Sequence, residues 1–143
     1  MRKARLVGLG LAGLACAALA WGCGRTPLPL TPVTGKVSYK GFALQGGTIV
    51  FAPDSKKGEP GPIAHGRIRE DGSYTLYTAD NYGATPGWYR VTVLALMPGA
   101  GQPGDPYPTP QSILPEKYRD PELSLLACEV KPHRSNQIDF NLD

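Results

Sequence analysis

Residues 33–51, VTGKVSYKGFALQGGTIVF, carry the pattern that most narrows what this chain can become. Val33, Gly35, Val37 and Tyr39 alternate with Thr34, Lys36, Ser38 and Lys40. A half-buried strand needs that period of two, because successive side chains point to opposite faces. Gly41 ends the run, and Gly46-Gly47 permits backbone angles closed to other residues. The stretch therefore reads as two strands joined by a glycine-marked turn, with Leu44 in the connection placed to plug the end of a sandwich. The second strand, Thr48 to Ala52, is more continuously apolar and is expected to be buried on both sides. Pro53 and Asp54 stop it.

The same alternation recurs downstream. Ala64, Gly66 and Ile68 share one face, with His65, Arg67 and Arg69 on the other. Asp71-Gly72 then marks a hairpin into Ser73–Thr78, with Tyr74 and Leu76 inward. Residues 79–87 read as a loop. In the long strand Trp88 to Met97, Tyr89, Val91, Val93 and Ala95 face in, and Leu94 and Leu96 suggest an end covered on both sides. Residues 98–115 hold six prolines and three glycines and read as an insertion between strands. Glu116 to Ser124 suits a short turn or a single helical turn. Leu125–Lys131 and Gln137–Leu142 are the last two strands, with Ile138, Phe140 and Leu142 inward. Seven strands and no amphipathic helix predict an all-β, seven-stranded antiparallel β-sandwich.

The first 32 residues differ in kind. Arg2, Lys3 and Arg5 precede an uncharged run, Leu6 to Trp21, rich in Leu, Ala and Gly. This is the pattern of a secretory signal helix over residues 1–22. Ala20-Trp21-Gly22-Cys23 follows and resembles a bacterial lipobox, whose cysteine is lipidated and becomes the new N-terminus. Ala20 and Trp21 stand where that pattern favours Leu and a small residue. Cys16 is the competing candidate, and a plain cleaved signal or an uncleaved anchor are the other readings. All of them place the domain outside the cytoplasm. Residues 23–32 include Pro27, Pro29 and Pro32 and suit a semi-rigid tether to a domain at 33–143.

Composition bounds the partners. Of 15 basic residues three lie in the leader, leaving 12 against 12 acidic ones, so no basic excess argues for nucleic acid. With Cys16 lost and Cys23 lipidated, Cys128 stands alone, and no disulfide framework is expected. Leu126, Cys128 and Val130 share a face, which makes Cys128 a small buried hydrophobe.

Thr34-Gly35-Lys36-Val37, Gly41-x-x-Leu44-x-Gly46-Gly47, Asp71-Gly72-Ser73-Tyr74 and Pro86-Gly87-x-Tyr89-x-Val91-x-Val93 together resemble carboxypeptidase regulatory-like domains. Pro115-Glu116-Lys117-Tyr118-Arg119-Asp120-Pro121 and Glu129-Val130-Lys131-Pro132 narrow the resemblance to small lipoproteins of planctomycete type. The resemblance implies a transthyretin-like sandwich, and it carries over no catalytic residue.

Candidate sites are few. His65 and His133 belong to no paired-ligand motif, so no metal or cofactor is expected. The tyrosine-arginine-glycine-serine ending of transthyretin-like hydrolases is absent. Lys36 and Asn141 sit in the strands that an isopeptide bond would link, but both fall on the outward face. Asp54, Asp71 and Asp80 read as turn formers. Tyr82, Trp88 and Tyr107 are the candidate ligand contacts. The expectation is a non-enzymatic, membrane-anchored lipoprotein of the cell envelope, in the inner or the outer membrane, with a lipid anchor at Cys23. It would act as a structural or protein-interaction module on an envelope protein or glycan. A carbohydrate- or small-ligand-binding accessory domain is the alternative.

Overall fold

The computed structural model describes residues 29–99, 104 and 106–143. The predicted signal helix, Cys23 and most of the tether lie outside these residues. The described chain is almost entirely β. Its strands are β1 (Val33–Tyr39), β2 (Phe42–Ala43), β3 (Gly47–Pro53), β4 (Ala64–Ile68), β5 (Ser73–Thr75) and β6 (Tyr77–Thr78). They continue with β7 (Asn81–Tyr82), β8 (Gly87–Leu94), β9 (Leu96–Met97), β10 (Gln111–Ser112), β11 (Ala127–Val130), β12 (Asn136–Gln137) and β13 (Phe140–Leu142). A 3-10 helix, Glu116–Arg119, buries Tyr118 and supplies the single helical turn expected there.

One sheet of six strands runs in the order β11-β8-β3-β4-β6-β7, and a second is built around β1 with β2, β5, β12 and β13. Their inner faces meet at Phe51 of β3. Its ring centroid lies 5.7 Å from Tyr89, 6.0 Å from Phe140 and 6.2 Å from Tyr74. Most predicted inward positions are buried: Val33 and Val37, Ala64 and Ile68, Tyr74 and Leu76, Tyr89, Val91 and Val93, Phe140 and Leu142. Ile138 and Cys128, also predicted inward, are only half-buried. Leu44 is buried as well, in the connection where it was placed.

The partners of the strands depart from expectation in four places. First, the hairpin over 33–51 does not form. β1 turns back at Lys40-Gly41 to pair with β2, while β3 pairs with β4 and β8. Gly46 and Gly47, at φ 103° and 133°, redirect the chain from one sheet to the other. Second, β1 pairs in parallel with β12 and β13, because the chain crosses back from β11 through the loop 131–135. Every other pairing is antiparallel. Third, β3 is buried on one face only, with Thr48 exposed and Val50 half-buried. Fourth, Leu94 and Leu96 are 41% and 49% exposed, so this end is not covered on both sides by the described residues.

The Asp71-Gly72 turn is present. Arg69 N–H donates to Ser73 O at 2.9 Å and Gly72 N–H to Arg69 O at 2.9 Å, with Gly72 at φ 77°. However, the strand beyond it leaves β4 and pairs with β1. Gly66 permits this crossing, since a Cβ there would overlap the Thr75 carbonyl. Residues 79–87 are not all loop, because Asn81 and Tyr82 fold back onto β6.

Candidate functional site

β1 defines an axis with two unlike ends. Seven residues at about 3.3 Å each separate them by about 20 Å. The chain enters beside Val33. There Thr31 N–H donates to Ala84 O at 2.9 Å, and Ala84 N–H donates back to Thr31 O at 3.0 Å. The domain is thus held from residue 31 onward.

At this entry end the loop between β11 and β12 is organised by one buried side chain. Asn136 is 4% exposed. Its Oδ1 accepts from Lys131 N–H at 2.9 Å, and its Nδ2 donates to Lys131 O at 3.0 Å and Arg134 O at 3.1 Å. Its backbone N–H donates to Pro32 O at 2.9 Å, which fastens the loop to the entering chain. The loop leaves Lys131, His133 and Arg134 exposed. A groove of about 580 Å³ runs between loop and chain, lined by Leu30, Pro32, Pro86, Pro132, His133 and Arg134 among others.

The far end carries an exposed apolar cluster beside the charged residues Lys40 and Asp71. Lys40 and Gly41, at φ 50° and 83°, form the two-residue turn between β1 and β2. Two left-handed residues match the twist of the flanking strands. Phe42 follows and is 78% exposed. Beneath it a groove of about 560 Å³ is lined by Tyr39, Lys40, Phe42, Ala43, Leu44, Gln45 and Ile113. Ile113 is carried there by the β9–β10 hairpin, where its N–H donates to Ala95 O at 3.0 Å. That hairpin also leaves Leu96 and Met97 in solvent, 49% and 47% exposed.

The three predicted contact residues are not brought together. Tyr82 sits on the marginal strand β7, its ring edge-on to Tyr77 at 5.9 Å. Trp88 lies on β8, four strands away in the same sheet, which is about 19 Å at the usual strand spacing. Its ring is covered by Lys57 Nζ at 4.3 Å from the centroid. Tyr107 is 86% exposed in the segment between β9 and β10, beyond the opposite end of β8.

The other candidates serve structure. Asp71 Oδ1 accepts from Ser73 N–H at 3.0 Å and from Ser73 Oγ at 2.6 Å, and these bonds hold its pKa below the usual carboxylate value. Lys36 N–H donates to Asp139 Oδ1 at 2.8 Å, and Asn141 Oδ1 accepts from Ser38 Oγ, so the isopeptide candidates are apart on the outer face. No group of three or more metal-ligating side chains converges among the described residues. Cys128 is half-buried and its thiol pKa is pushed up to about 12 by burial.

One cluster went unseen in the sequence. The Asp54 carboxylate is 4% exposed and faces Arg90. Arg90 Nε lies 3.3 Å from Asp54 Oδ2, close enough for an ion pair but at an angle that makes no hydrogen bond. Arg90 Nη1 lies 3.2 Å from Glu122 Oε2, and Lys56 Nζ lies 3.4 Å from the same oxygen. Two cations and two anions thus clamp the end of β3 to β8 and to the loop before β11.

No family model matches the chain, and neither the curated proteins nor the solved structures contain a match.

Proposed function

We propose that this protein is a non-enzymatic lipoprotein of the cell envelope, anchored through Cys23, whose domain serves as a structural or protein-interaction module. The observation that carries the reading is the opposition of the two ends. A chain tethered beside Val33 presents Phe42, Leu96 and Met97 at the end away from its anchor. A cluster of exposed apolar side chains is a common mark of an interaction surface. Ile63, Tyr82 and Trp88 are exposed too, but toward the entry end and apart from one another. The uncharged run before Cys23 and the basic residues ahead of it support the anchor.

The finer fold in this reading is the transthyretin-like sandwich. β5 and β6, β8 and β9, and β12 and β13 are single runs broken at Leu76, at Ala95 and at Ile138-Asp139. With β1, β3, β4 and β11 they make seven principal strands, which supports it. The non-enzymatic part is supported by how the charged groups are used, since Asp54, Asp71 and Arg90 are engaged in holding turns and strands. The separation of Tyr82, Trp88 and Tyr107, together with the lysine over Trp88, weighs against a sugar-stacking platform.

A photo-reactive amino acid placed at Phe42, at Met97 and, as a control, at Thr34 on the polar outer face of β1 tests the reading in producing cells. Discrete adducts from the two far-end positions and none from Thr34 are expected. Adducts from Thr34 alone would contradict it.

A further inference from the structure

The entry end carries a second surface, and the position of the chain entry says what it faces. This inference rests on the anchored reading above. If Cys23 is acylated, six residues join the bilayer surface to Pro29, and six residues span at most about 22 Å. The entry end is therefore kept within about 22 Å of the bilayer surface, close enough for its loop to touch the headgroups.

What the entry end offers to that layer is basic and fixed in shape. Lys131, His133 and Arg134 are exposed on a loop whose carbonyls and amide are held by Asn136. The bond from Asn136 N–H to Pro32 O locks this loop to the tether, so the cations cannot swing away from the chain that leads to the membrane. Among the described residues no acidic side chain lines the groove between loop and tether, whose walls are mostly proline and leucine with Thr31, Ser135, His133 and Arg134. The acids of that end are Glu129 on β11, Asp80 in the turn after β6, Glu59 in the loop after β3, and Asp54 and Glu122. None of them lines the groove, and Asp54 and Glu122 are paired with Arg90 and Lys56. A cationic loop beside an apolar, proline-rich wall suits an anionic headgroup with the upper part of its acyl chain.

We infer that the loop Lys131–Arg134 docks on anionic lipid headgroups and holds the anchored domain upright, with the Phe42 end directed away from the bilayer. Docking fixes the orientation that a flexible tether alone leaves free.

The test uses the full acylated protein in vesicles of phosphatidylcholine with or without phosphatidylglycerol. Ser135→Cys places an environment-sensitive fluorophore beside the loop, and Gln45→Cys places one at the far end. The native Cys128 is half-buried with its thiol protonated at neutral pH, so the introduced cysteines take the label. In anionic vesicles the probe at 135 should be quenched by a headgroup-level quencher, and molar salt should abolish this as screening shortens to about 3 Å. The probe at 45 should be unaffected. Lys131→Ser with Arg134→Ser should lower the docked fraction by about fivefold for each cation removed. Lys131→Arg with Arg134→Lys should restore it, which separates loss of charge from loss of loop structure. An acylated chain whose probe at 135 ignores lipid charge would overturn this inference alone. An intact mass without acyl groups at Cys23 would overturn the anchored reading and this inference with it.

Discussion

At the entry end a buried asparagine ties a loop to the entering chain; at the far end Phe42, Leu96 and Met97 are left in water. Asn136 makes three side-chain bonds at the first, and Tyr89 Oη is bonded to Thr85 within 2.8 Å there as well. Across the sandwich from it, Tyr74 Oη donates to Ile138 O at 2.6 Å. The far end relies on a turn of two left-handed residues and a short hairpin, and it exposes Phe42, Leu96 and Met97. Burial and hydrogen bonding give rigidity where the chain is held. In the proposed reading the uncovered apolar surface at the far end is where a partner docks, which would separate stability from function along β1.

The sharpest way to break the comparison is at Gly35, in the half of β1 nearer the entry. Its missing side chain leaves room for the Ile138 carbonyl and Tyr74 Oη. Gly35→Val should cost more than about 4 kcal/mol, because backbone cannot yield there. Thermal or urea unfolding would measure it, and a loss below about 1 kcal/mol would mean that the close approach is absent. Asn136→Ala comes next. It strands partly buried backbone groups of Lys131 and Arg134 and should cost about 1–2 kcal/mol. Hydrogen exchange should then rise in residues 131–136 and not around Phe42.

Asp54→Ala removes the buried partner of Arg90. The guanidinium is a quarter exposed, and water screens part of the loss, so about 1–2 kcal/mol is expected from urea unfolding. Alkali should also act first on the entry half. Burial raises the pKa of Tyr74, of Tyr89 and of Cys128, the last from 9.0 to about 12. The folded state holds these protons more tightly than the unfolded chain does. Their contribution is therefore complete below about pH 9 and is lost as pH rises towards 12. A thiol reagent at pH 8 should modify folded Cys128 at least about a hundredfold more slowly than the unfolded chain. The smallest effect belongs to the far end. Phe42→Ser should shift stability by no more than about 0.5 kcal/mol while abolishing the adducts formed there. A large destabilisation would make Phe42 a packing residue and remove the contrast between the ends.

Alternation told which side chains of each strand face inward, because the period of two is a local property of the backbone. It did not tell which strand lies beside which. The strands β1 and β3 look like a hairpin in sequence, but Gly46 and Gly47 send the second into the other sheet. The parallel return of β12 and β13 to β1 likewise depends on a crossing loop that leaves no periodic trace. Arg90 was legible as an outward residue of β8, yet its partners Asp54 and Glu122 lie 36 and 32 positions away. The clamp made by Asn136 was hidden for the same reason. An asparagine after a proline-containing turn looks like any loop residue until its backbone partners are in place.

The intact mass of the protein from the membrane fraction, wild type beside Cys23→Ala, tests the anchored account most directly. The account predicts a chain that begins at Cys23 with acyl groups attached, and a variant that leaves the membrane. An unmodified chain found in the soluble fraction would contradict it.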